Sequence, residues 1–299
     1  MKTEIRSSYT CRIALLLLLV SLAVVSRAQC PPEDWTPPEG WTTAYPAHRV
    51  IGNLYTVGTG SLGVFLVATD DGHILINTGL EDSARLIREN IESVGFHLED
   101  VRILLTMQAH YDHTAALAEI KALSGAEMWA TADDARVLED GGASDAQFGE
   151  CVNFRFRPLT VEKILADGDV IELGGVRLRT HEHPGHTEGS SSYSMTIRED
   201  GRDYRVAIAN MGTINAGKKL VVDPTYPGVA EDFAETYEKQ KEMAVDVWVA
   251  AHGEQYGLSE KHTPGQAYSA DTFVDPDGFL AEVARLERIY LEQIAAERN

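Results

Sequence analysis

The 299-residue chain is poor in cysteine: it has three, none in a Cys-x-x-Cys pair and none beside a histidine motif, so cysteine is set aside as a metal ligand. Basic residues are scarce too, with 26 Lys and Arg against 46 Asp and Glu and a formal net charge of −20 at pH 7. Such acidity weighs against nucleic acid or an anionic membrane surface as a partner and favours solubility, without identifying a substrate. Long apolar runs are lacking apart from residues 13–25, and about 13 residues fall short of the ~20 that span a bilayer. No short-period repeat is visible.

The one apolar run follows Lys2, Arg6 and Arg12 and precedes Ser26-Arg27-Ala28. That order predicts a secretory signal peptide over residues 1–28 and a periplasmic or secreted protein beginning at Gln29. A lipidated Cys30 ranks below soluble export, because Gln29 is a poor residue to precede it. Loss of the leader removes four basic groups, one acid and Cys11. Cys30 and Cys151 then remain in an oxidising compartment, either paired or as free thiols. About 270 residues are left, read as a single domain over 29–299 with an N-terminal arm over 29–48. No membrane partner is expected once the leader is gone, and a monomer is favoured.

Beyond the arm, short apolar runs at 54–57, 62–68 and 73–76, the last after Asp70-Asp71-Gly72, predict antiparallel strands joined by tight turns. Ala84, Ile87, Ile91 and Val94 keep helical spacing over 83–94 and stop at Gly95. A strand at 102–106, a helix at 114–123, a strand at 127–130 and a helix at 132–139 follow. A polar loop opens at Gly141-Gly142 and runs to Pro158. The second half predicts strands at 170–172, 176–181, 191–197, 204–209 and 245–250 and helices at 231–243 and 276–297. Two sheets face to face with helices outside are the economical arrangement.

At the end of the strand at 102–106 stands Gln108-Ala109-His110-Tyr111-Asp112-His113, which places four possible metal-binding side chains within six residues. A strand that runs through a loop into a helix throws neighbouring side chains in several directions. His110 can therefore face one metal ion while Asp112 and His113 face another, and imidazole with carboxylate suits zinc. Three further strand ends contribute: Asn77-Thr78-Gly79, the tight loop His183-Pro184-Gly185-His186-Thr187-Glu188-Gly189, and Ala250-Ala251-His252-Gly253.

The order of these motifs resembles the metallo-β-lactamase superfamily. Within it the chain is most similar to the third-subclass zinc β-lactamases, and more narrowly to the GOB-type branch, in which Gln replaces the first motif histidine. The resemblance runs from about Trp35 to the final helix and rests most specifically on Gln-Ala-His-Tyr-Asp-His-Thr. It implies an α/β fold of the αββα type: two mixed β-sheets with helices on their outer faces and zinc at the rim between them. It also implies one metal site from Gln108, His110 and His186 and another from Asp112, His113 and His252. One or two zinc ions are expected, held more strongly at the second site because an amide oxygen is a weaker donor than imidazole. Gln108 is either a ligand or a neutral neighbour of the first site. Asn77 stands where many members carry an aspartate that supports ligand geometry. Met211 stands where thioester- and lactone-hydrolysing members place a bridging Asp and typical third-subclass enzymes a Ser.

The activity so implied is hydrolysis of the lactam amide of penicillins, cephalosporins and carbapenems. Zinc lowers the pKa of its water from ~16 to about 7, so hydroxide is available at neutral pH without a serine or cysteine nucleophile. Asp112 is the expected catalytic residue, orienting the nucleophile and passing a proton to the departing nitrogen. Thr213, Ser191 and Met211 are the expected substrate contacts, and Lys218-Lys219 reads as a solvated turn. Trp35, Trp41 and Tyr45 either wall the pocket or pin the arm to the core, the second being favoured for Trp41. His181 and His183 read as solvated loop residues or partners of the ligands, and His48, His73, His97 and His262 carry no assignment. Two rival readings stand: another zinc hydrolase of the same superfamily, acting on a lactone, thioester or other amide, and a non-catalytic zinc-binding protein.

Overall fold

The computed structural model describes residues 30–299 except Glu33; the expected leader, with Cys11, lies outside the described residues. Strands β1 (His48–Ile51), β2 (Leu54–Thr56), β3 (Phe65–Thr69), β4 (Gly72–Ile76), β5 (Val101–Leu105), β6 (Glu127–Thr131) and β7 (Lys163–Leu165) form one sheet in chain order. Pairing is antiparallel from β1 to β4 and parallel from β4 to β7. Strands β8 (Val170–Leu173), β9 (Val176–Glu182), β10 (Ser191–Glu199), β11 (Arg202–Ala209) and β12 (Val247–Ala250) form the second, antiparallel except for the β11–β12 pair.

The helices are α1 (Glu39–Thr42), α2 (Ser83–Ser93), α3 (Tyr111–Thr114), α4 (Leu117–Ser124), α5 (Ala132–Glu139), α6 (Val229–Glu242), α7 (Leu258–Lys261) and α8 (Pro276–Glu297). Alternation along the strands sends Phe65, Val67, Ile74, Ile76, Ile103 and Leu105 into one core with Tyr193, Met195, Ile197, Val206 and Ile208 of the facing sheet. Leu66, Leu75 and Leu104, on the opposite face of the first sheet, pack instead with Ile87 and Ile91 of α2, Leu117 and Ile120 of α4, and Leu138 of α5. Helices α6 and α8 extend the first core through Phe233, Tyr237, Phe279 and Val283. The expected mixed α/β sandwich is thus present, and among the described residues no helix is long and apolar enough to cross a membrane.

Two local expectations are corrected, and one open alternative is closed. The single helix expected at 114–123 is two pieces, α3 and α4, because the chain turns at Ala115-Ala116 after the motif. The arm yields β1 from residue 48 onward, and residues 163–165 add β7. Cys30 and Cys151 form a disulfide at a sequence separation of 121, which settles the two alternatives in favour of pairing.

Candidate metal centre

Strand β5 delivers the motif to the sheet edge. Tyr193 Oη, from the other sheet, donates to Thr106 O at 2.8 Å, and Thr106 Oγ1 donates to Gln108 O at 2.6 Å. The chain then enters α3, a single turn that carries Tyr111, Asp112 and His113. That turn is clamped from both sides: Thr78 N donates to His113 O at 2.8 Å and Thr114 Oγ1 to His110 O at 2.8 Å. Asn77, with φ of 64°, takes the left-handed conformation that asparagine tolerates. Its Oδ1 accepts from Met107 N at 2.9 Å and its Nδ2 donates to Gly63 O at 3.0 Å, so the amide is fixed by two main chains. An aspartate could make only the first of these bonds. His113 Nδ1 lies 3.4 Å from Asn77 Nδ2, a looser contact.

His252 follows β12, and its Nε2 lies 3.2 Å from His113 Nε2. Asp112 Oδ2 is 3.2 Å from the His113 nitrogen and 3.6 Å from the His252 nitrogen. One donor atom from each of the three residues therefore falls within 4.8 Å of the others. Close by, His110 Nδ1 faces His186 Nε2 at 3.2 Å. The His186 ring is set by its other nitrogen, which lies 2.7 Å from Thr213 O and 3.0 Å from Thr213 Oγ1. Donation from Nδ1 to that carbonyl leaves the Nε2 lone pair directed at His110. Gln108 is buried and its Oε1 has no hydrogen-bond partner.

Protonation suits cation binding. Burial opposes ionisation of Asp112, but His113, His252 and His110 outweigh it and hold the carboxyl well below its usual range. Burial, aided by His113, pulls His252 down to about 4. Burial, with His110 and Lys218, pulls His186 well below 6.5. At neutral pH Asp112 is thus a carboxylate and His252 and His186 are neutral imidazoles. Two imidazole nitrogens 3.2 Å apart beside a carboxylate satisfy one another poorly. A cation among them would satisfy them all, so the donor set fits a metal ion such as zinc.

The structure also brings in residues that the motif did not signal. The loop at 141–149 delivers Asp145, whose Oδ2 lies 3.3 Å from His110 Nε2. Burial disfavours its charge, but His110 prevails and holds the carboxyl far below the usual range. Asp145 is fixed in turn by Gln147 N, which donates to its Oδ1 at 2.9 Å, and by Phe148 N. Trp41 of the arm stands 5.7 Å from the His252 ring and 6.2 Å from Tyr111, and Trp35 packs on Trp41, Tyr111 and Phe154. Trp41 thus borders the cluster, the first of its two expected roles and not the favoured second, and Trp35 packs against it. Tyr45 bonds His262 Nδ1 at 3.0 Å and belongs to a separate stack of His48, His262 and Phe273.

The expected substrate contacts are placed otherwise. Ser191 is 2% exposed, with its hydroxyl on Tyr193 Oη at 3.3 Å, and Met211 is fully buried in the core. Neither is open to a ligand. Thr213 is half-buried and turned to His186. Lys218 is no solvated turn residue: it is 3% exposed, with Nζ donating to Gly185 O at 3.2 Å and His186 O at 2.9 Å. Burial draws it down to about 8, with Asp145 among the charges that resist. His183 is likewise buried, its Nδ1 2.7 Å from Ser192 Oγ, and burial pulls it down to about 3.

Comparison with known proteins agrees with this architecture. Residues 60–199 match the metallo-beta-lactamase superfamily. The metallo-beta-lactamase GOB-18 from Elizabethkingia meningoseptica is 40% identical with a TM-score of 0.85, covering 90% of this chain and 99% of that one. The class B3 di-zinc metallo-beta-lactamase LRA-12 from an Alaskan soil metagenome is 41% identical with a TM-score of 0.83, covering 87% and 98%. A curated relative, the hydroxyacylglutathione hydrolase of Cereibacter sphaeroides, is 35% identical over 107 residues, 36% of this chain and 33% of that protein. The chain thus spans about a third of the length of that relative.

Proposed function

The chain belongs to the metallo-β-lactamase superfamily and is a metal-dependent hydrolase, and on that premise we propose that it is an exported zinc β-lactamase opening the lactam amide of penicillins, cephalosporins and carbapenems. The observation that carries this reading is the convergence of Asp112, His113 and His252 on one point beside the His110 and His186 pair. Asp112, His113 and His252 would hold the stronger zinc, and His110, His186 and the Gln108 amide the weaker, as in a GOB-type site. Export of residues 29–299 as one domain accords with the Cys30–Cys151 disulfide, a bond of oxidising compartments.

Zinc, when bound, polarises the carbonyl and makes water nucleophilic at neutral pH. The chain's own residues do the rest. The Asp112 carboxylate, ionised at neutral pH, accepts a hydrogen bond from the attacking water and orients it. As water adds across the amide, hydroxyl goes to the carbonyl carbon and the proton passes through Asp112 to the departing nitrogen. Thr213 O keeps His186 in one tautomer and Asp145 faces the far side of His110, so neither ring has to reorganise. Trp35 and Trp41 bound the space in which the body of the substrate lies and exclude water from that side.

A thioester reading has one observation in its favour, the partial match to the hydroxyacylglutathione hydrolase. Against it, the buried Met211 side chain supplies no carboxylate to the site. The deciding experiment offers the protein from Gln29 a penicillin, a cephalosporin, a carbapenem, a lactone and a glutathione thioester in parallel. Zinc per chain is counted, and a chelator serves as control. Chelator-sensitive turnover of the lactams alone is expected; turnover confined to the thioester or lactone would replace this reading with the rival hydrolase. A zinc-loaded chain inert toward all five would make it a non-catalytic zinc-binding protein.

A further inference from the structure

His186 is gripped at two points by one short segment. Its ring nitrogen meets Thr213 O at 2.7 Å, and five residues later Lys218 Nζ takes its main-chain oxygen at 2.9 Å and that of Gly185 at 3.2 Å. Burying an ammonium costs several kcal/mol unless its protons are well placed. Among the described residues no carboxylate lies within ion-pair distance of Lys218, although the loop carbonyls it meets could have been left to water. Asp145, Glu188 and Asp232 favour its charge from beyond contact distance, while its hydrogen bonds go to two successive carbonyls and so fix geometry. The loop needs such fixing: Gly185 has φ of 122°, and a Cβ there would meet the Phe233 ring at 2.8 Å. Rotation of either peptide about that turn would swing the His186 ring away from His110.

The segment is itself held from outside. Gln293 Nε2 of α8 donates to Lys218 O at 2.8 Å. One turn later the Glu297 carboxylate accepts from three successive main-chain N–H groups, Leu220 at 3.0 Å, Val221 at 2.7 Å and Val222 at 3.3 Å. It also accepts from Gln293 Nε2 at 2.9 Å. Three consecutive donors turned toward one carboxylate form an anion nest, and the occupant is the last residue of α8. From the other side Gln147 Nε2 donates to Ala216 O at 3.1 Å, tying in the loop that carries Asp145.

We propose that Lys218 is the positioning residue for His186, and that the end of α8, through Gln293 and Glu297, holds Lys218 in register. The proposal rests on the reading of His186 as a metal ligand. Its test separates the two by a readout that requires no metal: the imidazole proton on His186 Nδ1, followed by NMR in the metal-free protein and assigned by its disappearance in His186→Ala. Lys218→Met keeps the stem and removes the ammonium. We expect exchange of that proton with water to accelerate tenfold or more. Zinc affinity at the His110/His186 site should fall by roughly 10–100-fold, the range for lost partners of ligands, while affinity at the Asp112/His113/His252 site is unchanged. Glu297→Gln should shift both readouts in the same direction by less. Should Lys218→Met fail to fold, Glu297→Gln, whose side chain is partly exposed, decides alone. An unchanged proton signal and unchanged zinc affinity in a folded variant would overturn the proposal, as would equal weakening of both sites. If instead His186→Ala leaves zinc uptake intact, the ligand assignment fails, and the exchange result still reports on positioning.

Discussion

At the residue scale the centre divides into groups that hold charge and groups that aim rings. Asp112 is the one carboxylate among the six expected ligands, and it faces both His113 and His252. Asp112→Ala is therefore expected to lower kcat/KM by at least about a thousandfold and to remove one ion per chain; a fully active variant would sink the mechanism above. Gln108→His should act in the opposite sense on metal, since imidazole is the better zinc donor, tightening the weaker ion with turnover retained. Titration of the apo variant with zinc measures this, and unchanged affinity would mean that Gln108 is a neighbour and not a ligand. Asp145→Asn keeps the shape of the residue that faces His110 but removes its charge. About a 10–100-fold loss of affinity at the His110/His186 site is expected by equilibrium dialysis, with the other site unaffected.

Elements with strong periodicity were legible from sequence, and edges were not. Helices α5 and α8 fall at the expected bounds because their apolar spacing is helical, and α8 is further marked by Asp275 capping Gly278 N with Pro276 at its first turn. Strands β1 and β7 escaped notice, and they are the two edges of the same sheet. In β7 only Leu165 is buried, so three residues present no alternation to read. The motif residues were legible because their spacing is local. Asp145 and Lys218 were not, since each meets its histidine only through tertiary contact from a loop of ordinary composition. His183 shows the same limit, because a loop histidine looks solvated until a second sheet and α6 cover it. Its buried ring has a pH consequence. The folded value near 3 lies below the ordinary 6.5, so its contribution is complete above about pH 6.5 and is lost as pH falls toward 3. Asp112 and Asp145, held below their ordinary 3.8, add to the slope only as pH falls below about 5, outside the range from pH 7 to 5. In urea unfolding of the metal-free protein between pH 7 and 5, His183→Gln should flatten the slope by up to about 1.4 kcal/mol per pH unit relative to wild type. Identical slopes would contradict the burial argument.

For the molecule as a whole, the Cys30–Cys151 bond, at a sequence separation of 121, closes a loop that contains the arm, most of the first sheet and the histidine motif. Chain-entropy reasoning assigns such a closure about 2–5 kcal/mol, so Cys151→Ser should lower Tm by about 5–15 °C in a thermal melt. A melt insensitive to the substitution would show that the arm's own contacts suffice, Asn153 Nδ2 to Pro32 O at 3.1 Å and the Trp35 ring contacts among them.

The same bond changes what kind of object the arm is. Residues 40–44 are hydrogen-bonded to the turn at 59–61, Gly60 N to Thr43 O at 3.2 Å and Ser61 N to Gly40 O at 3.1 Å, so without the disulfide the segment before them, with Trp35, would be a flap free at one end. Fastened at Cys151 as well, it is a strap that cannot swing. A ligand must slide in beside it and fit the space that tryptophan side-chain rotation leaves. The breadth of ligands admitted is then governed by fast movements of two indole rings, while reduction of a single sulfur–sulfur bond would restore the slower, wider opening of the backbone.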